Sequence, residues 1–120
     1  MPQTIEQQRA ARAWEHVGDA PTNGYVSLTQ GAPVHIHTSG LGQTAAFYLT
    51  KAKDGNEYDA LLKHLAEWLL RQQPGPKNGQ ALMQTIQSGD TQAYRRLASE
   101  AIAYLAWLKR FAKARSPQTA

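Results

Sequence analysis

The sequence contains no cysteine. That excludes disulfides, thiolate zinc sites and a cysteine nucleophile, and it fits a reducing cytoplasm. No apolar run approaches the roughly 18 residues that a membrane span needs, so no membrane partner is expected. The N-terminal MPQTIEQQRAARAW is polar and helical in pattern, unlike a signal peptide. Serines are few and none sits on a nucleophile elbow, so hydrolase or transferase chemistry finds no support. No internal repeat is visible.

What is present describes an ordinary globular core. The chain has 120 residues, 42% of them apolar, which predicts one domain over residues 1–120 with a single core and argues against disorder. Net charge is +4 and the sequence pI about 9.6. That balance mildly favours acidic partners such as nucleic acid.

Helix signals run through the chain. Thr4 with Gln7 forms a capping box, and Ala10, Ala13, Trp14 and Val17 recur on one face until Gly18 and Pro21 end the helix. Arg9, Arg12 and His16 share another face. Residues 22–39 are harder to place. Val34 and Ile36 alternate with His35 and His37 as in a short strand, but no partner strand appears elsewhere. The spacing therefore predicts a helix broken or kinked near Gly31–Pro33, where proline lacks an amide.

Thr38–Lys53 (TSGLGQTAAFYLTKAK) carries a second start. Thr38 or Ser39 can cap a helix through Gln43–Ala52, with Leu41, Ala45, Tyr48 and Ala52 on one face and Thr44 and Phe47 widening it. Gly40 and Gly42 allow another helix to approach closely, while Phe47 and Tyr48 anchor the core. Lys51 and Lys53 suit the helix C-terminus. Asn56 caps the next helix, whose wide stripe runs from Tyr58 through Leu61, Leu62, Leu65, Ala66, Trp68 and Leu69. Two prolines and two glycines make residues 72–79 a surface loop, with residues 74–79 its densest part. A short helix bears Ala81, Leu82, Met83 and Ile86. Asp90 then caps a long last helix, Thr91 to Ala114, with Tyr94, Leu97, Ala98, Ala101, Leu105, Leu108 and Ala112 inward. Tyr104, Trp107 and Phe111 extend that face, and residues 115–120 form a tail expected to fray. The fold class predicted is all-α, a single-domain bundle of about five or six helices with a long C-terminal helix.

Candidate chemistry is sparse. His35 and His37 suit a metal only in extended structure, and no third ligand accompanies them. His64-x-x-Glu67 has the reverse order of the motif in carboxylate-bridged metal bundles. Gly40-Leu41-Gly42-Gln43 invites a phosphate-loop reading, but no strand precedes it and no Gly-Lys-Ser/Thr follows. No cofactor, metal or catalytic residue is expected. Aromatics at Trp14, Tyr48, Trp68, Trp107 and Phe111 sit at core spacings. Arg95, Lys109 and Lys113, with Arg96 and Arg110 adjacent, form a basic stripe on the last helix. It can track a phosphate backbone or simply complement the helix dipole and face water. The same alternatives apply to Arg9 and Arg12.

Gly40-Leu41-Gly42-Gln43 followed by Ala45-Ala46-Phe47-Tyr48 resembles the central signature of the CRISPR-associated Cmr small subunit, subunit five of the type III-B RNA-silencing complex. In order along the chain, Glu6–Ala10, Tyr25 to Ile36, Leu62–Leu69, and Tyr94 through Trp107 and Phe111 to Lys113 resemble its other segments. Ser39 stands where that signature commonly has asparagine. The resemblance implies an all-helical, non-catalytic subunit stacked in several copies beside the backbone and large subunits of the effector. It also implies proximity to paired guide RNA and target RNA. Arg9, Arg12, Lys51, Lys53, Arg95, Arg96, Lys109, Arg110 and Lys113 are then the candidate RNA contacts. Gly40, Leu41, Gly42, Gln43, Phe47, Tyr48, Trp68, Trp107 and Phe111 are signature and packing positions. The competing expectation is a stand-alone helical adaptor or dimer whose basic face binds an acidic protein.

Overall fold

Capping chemistry sets the helix starts. In the computed structural model, which describes residues 2–116, α1 (Ile5–Val17) begins at Thr4. Thr4 Oγ1 accepts from Gln7 N, while Gln7 Oε1 accepts from Thr4 N. Gly18 ends the helix with φ 71°. α2 (Asn23–Lys51) is capped by Thr22, α3 (Glu57–Leu69) by Asn56, α4 (Gly79–Ser88) by Asn78 and α5 (Thr91–Ala114) by Asp90. Each of these side chains accepts an otherwise orphaned first-turn amide. No strand occurs among the described residues.

α2 corrects one expectation. The helix continues through Gly31 and Pro33, and the single residue with non-helical backbone is Gly40, at φ 87° and ψ 159°. Proline removes one amide from the ladder, but the arm carrying it is anchored on the core by Thr29, Ala32 and Ile36, all buried. Packing therefore outweighs the local cost. At Gly40 the chain turns sharply. In a straight helix residues 35 and 47 lie about 18 Å apart. Here the His35 and Phe47 rings are 5.8 Å apart, and His35 Nδ1 lies 3.3 Å from the Tyr48 hydroxyl. The two arms, residues 23–39 and 41–51, fold toward each other, so the bundle has in effect six helical arms.

α1, α2 and α3 pack on α5, each arm of α2 bonding to it, and α4 lies against α2 and α3. Leu105, Leu108, Tyr104, Ala101 and Ala112 are all fully buried and meet Leu41, Leu61, Leu62, Leu65 and Leu82 in one core. Burying a leucine side chain stabilises by roughly 1.5–3 kcal/mol. Two expected core residues lie elsewhere. Trp14 and Phe47 are each 45% exposed. Both sit at the edge of an apolar stripe and are only partly covered, Trp14 by Phe111 and Phe47 by His35 and Tyr48. Arg115, placed by sequence in the fraying tail, donates to Gly18 O at 2.5 Å and lies over Trp14 at 3.2 Å. Residues 117–120 lie outside the described part.

Candidate functional site

Several of the polar side chains that the fold draws inward cross-link its helices. Arg9 of α1 makes a bidentate pair with Glu100 of α5, Nε to Oε2 at 2.6 Å and one Nη to Oε1 at 2.8 Å. Trp68 Nε1 of α3 donates to the same carboxylate at 2.8 Å. The guanidinium, followed by the indole N–H, holds Glu100 below the usual carboxylate range. Arg9 also binds Glu6 at 2.7 Å. Its guanidinium is thus occupied on the inner side of α1, the solvated face expected of it being only partly open.

A second network joins α1, α2, α3 and α5. His16 stacks on His64 with ring centres 4.4 Å apart. His16 Nε2 lies 2.8 Å from Glu67 Oε1. A carboxylate only accepts, so the proton resides on Nε2, and His16 Nδ1 accepts from the Tyr104 hydroxyl. Tyr25 donates its hydroxyl proton to His64 Nδ1 at 2.7 Å. Burial lowers both histidines, His64 to about 3, and the stacked partner adds to the effect on His64. Burial also raises Tyr25 and Tyr104 and pushes Tyr48 up to about 12. All five groups remain in the protonation states that these bonds require. His35 and His37 lie on helix, where alternate residues diverge. Among the described residues no group of three potential metal ligands converges.

The cations lie outside this interior. Arg95, Arg96, Arg110 and Lys113 are exposed on α5, and Lys109 is half-buried with its backbone carbonyl accepting from Gln30 at 3.0 Å. Lys51 sits 5.6 Å from the centre of the Phe47 ring, and Lys53 is exposed beyond the helix end. Arg12 is exposed and 3.9 Å from Glu15. Among the described residues, none of the α5 cations and neither Lys51 nor Lys53 pairs with a carboxylate. The sequence-predicted cations therefore divide. Arg9 is internal, while the α5 stripe faces outward.

The glycine signature has a structural reason. Gly40 supplies the positive φ of the bend, and Gly42 N donates to the Tyr94 hydroxyl of α5 at 3.0 Å, capping the second arm. Of the packing positions, Leu41, Tyr48 and Trp68 are buried, Trp107 and Phe111 are half-buried, and Gln43 is exposed. Phe111 packs edge-on against Trp14 at 5.0 Å. Arg71 and Lys77, which sequence reasoning left aside, also carry charge to the surface of the α3–α4 loop region. Their signal is visible in the chain, since no acidic residue occurs between Trp68 and Gly89.

The geometry defines an all-helical protein whose buried ionic groups are satisfied within the fold and whose excess cations point outward. No helix of the described residues is long and apolar enough to cross a membrane. The sequence family described as CRISPR-associated protein (Cas_Cmr5) matches residues 5–115, and the chain belongs to that family. The fold is also similar to the crystal structure of a CRISPR-associated Cmr5 family protein from Thermus thermophilus. The two chains are 30% identical with a TM-score of 0.79, over 94% of this chain and 97% of the other.

Proposed function

We propose that the protein is the non-catalytic small subunit of a cytoplasmic type III-B CRISPR effector, the Cmr complex, acting in antiviral defence. In this reading copies of the chain stack along the backbone filament, beside the backbone and large subunits, and their basic surfaces help hold guide and target RNA. Family membership across residues 5–115 carries the reading. The outward, unpaired cations of α5 support it, because a protein that leaves sequence recognition to base pairing needs only backbone contacts and shape. A head-to-tail stack also needs two different complementary surfaces, and the half-exposed aromatics Trp14 and Phe47 lie on different helices.

Purification of the tagged chain from its host tests the assembly. Co-elution with guide RNA and large CRISPR-associated subunits is the expected result. A free dimer without RNA would favour a stand-alone adaptor that binds an acidic protein. Replacing Lys109, Arg110 and Lys113 together by alanine should weaken RNA association and flatten its salt dependence while preserving the fold. Unchanged binding with an unchanged slope rejects that assignment.

A further inference from the structure

The end of α3, the C-terminal end of α4 and the first half of α5 enclose an open groove of about 550 Å³. Arg71 and Arg96 both line it, together with Gln72, Gln73, Thr85 and Ser88. Its one carboxylate, Glu100, already has both oxygens bonded to Arg9 and one to Trp68. Neither Arg71 nor Arg96 has a carboxylate partner among the described residues. Arg71 is nonetheless fixed in place. Its guanidinium lies 3.8 Å from the centre of the Trp68 ring, and Nη1 donates to Trp68 O at 2.7 Å. The remaining N–H groups are free for a ligand, and little side-chain freedom is left to lose on binding.

The charge continues past the groove. Arg71 also borders a neighbouring cavity with Arg12 and Lys77. Glu67, which lines that cavity too, is bonded to His16. Lys77 is held over its loop by Gln73 O and Gly75 O, at 2.5 and 3.0 Å. A line of cations thus runs from α5 across the end of α3 to the loop and α1. Hydroxyls and amides accompany it, and the 22 residues from Trp68 to Gly89 hold no acid.

We infer that this groove is a track for the ribose–phosphate backbone of an RNA strand, with Arg71 and Arg96 as its paired phosphate contacts. The inference rests on the effector-subunit reading and names a surface for it. A continuous cation line spanning two cavities suits a long polymer with a charge at every unit better than a short acidic peptide. The groove holds backbone and does not read bases. Trp68, the indole beside it, has Tyr104 stacked on one face at 5.0 Å and Arg71 on the other, so no open ring face is left there for base stacking.

The test uses the full chain, with binding of a fluorescent mixed-sequence single-stranded RNA followed by anisotropy across a salt series. Arg71→Gln with Arg96→Gln should weaken binding about tenfold or more and reduce the log–log salt slope by about 1.4, roughly 0.7 for each phosphate no longer neutralised. Because Arg71 packs on Trp68, Gln73→Glu serves as a second variant. It lies on an exposed loop and puts a carboxylate into the groove, so it should weaken binding without unfolding the chain. Wild-type protein that fails to bind RNA at low salt overturns the inference, as do variants with unchanged affinity and slope. Polyglutamate that displaces RNA, and loses its own binding in the same variants, assigns the groove to an acidic protein instead. Co-elution with effector subunits is scored separately. Variants that still assemble while wild type and variants bind RNA alike refute the groove alone, whereas a chain that never co-elutes refutes the assembly reading.

Discussion

Gly40 and Gly42 stand two residues apart in one signature, yet substitution should affect them in opposite ways. Gly40 has φ 87° and ψ 159°, a region that side-chain-bearing residues scarcely enter. Gly40→Ala should cost about 2 kcal/mol from backbone strain alone. The added Cβ would sit 3.4 Å from the Tyr94 hydroxyl, an ordinary contact, so crowding adds little. Gly42 has helical backbone, and a Cβ there would meet Tyr94 Oη at 3.6 Å and Ile86 Cγ2 at 3.7 Å. Space exists, so Gly42→Ala should be neutral or stabilise by up to about 1 kcal/mol through helix propensity. Tyr94→Phe removes the acceptor of the Gly42 amide and should cost about 1 kcal/mol. Combined with Gly40→Ala it should be less than additive, because a displaced bend has already broken that bond. Urea denaturation of the single variants and the double variant measures all of these effects. Equal destabilisation by Gly40→Ala and Gly42→Ala would instead make close approach of a neighbouring helix the common cause and rule out backbone strain as the difference between them.

Other outcomes follow from the buried networks. His64 has a native pKa of about 3 against an unfolded 6.5, so the unfolded chain binds the extra proton between those values and stability falls as pH drops through that window. From about pH 7.5 to about pH 5 His64 alone should remove about 2 kcal/mol, and His16 adds in the same direction; urea midpoints that do not change over this range would contradict the buried-neutral assignment. Glu100→Gln keeps the shape but removes the charge facing Arg9, and should cost about 2 kcal/mol with a quench or shift of Trp68 fluorescence. Glu6→Gln, at a carboxylate 61% exposed, should cost less than about 1 kcal/mol.

Helix ends are the most legible part of the sequence, because a cap is a local bond between residues close in the chain. Thr4, Asn56 and Asp90 all act as their spacing indicates. The inward face of α5 is legible for the same reason, since a repeat of 3.6 residues needs no knowledge of neighbours. The rest depends on distant partners. Spacing puts Trp14 and Phe47 on apolar stripes, but only the neighbouring helix decides how much of a ring is covered. The local penalty of proline points to a bend at Gly31–Pro33, whereas burial of Thr29, Ala32 and Ile36 carries the helix through. His16 meets His64 across 48 positions in the chain, and no periodicity signals such a stack. The place of Arg71 is equally non-local, because its exposure depends on where α5 crosses the end of α3.

The distribution of charge matters more here than its sum. The chain has 13 Lys and Arg against 9 Asp and Glu, a modest excess by itself. Most of the carboxylates, however, have structural duties. Asp90 caps α5, Asp59 accepts from Gly55 N, and Glu6, Glu15, Asp19, Glu67 and Glu100 pair with α1, His16 or Arg115. Among the described residues, only Arg9, Arg12 and Arg115 of the arginines and lysines take part in those pairs. The unpaired cations consequently concentrate on α5, at the end of α3 and around Lys51. Because most of those acids lie on or just after α1 and at the helix starts, the surface of α5 and of the end of α3 is locally more positive than the net charge indicates. In the proposed filament that local excess would recur with every copy, and an anionic polymer would meet it as a track. The interaction would then weaken steeply with salt.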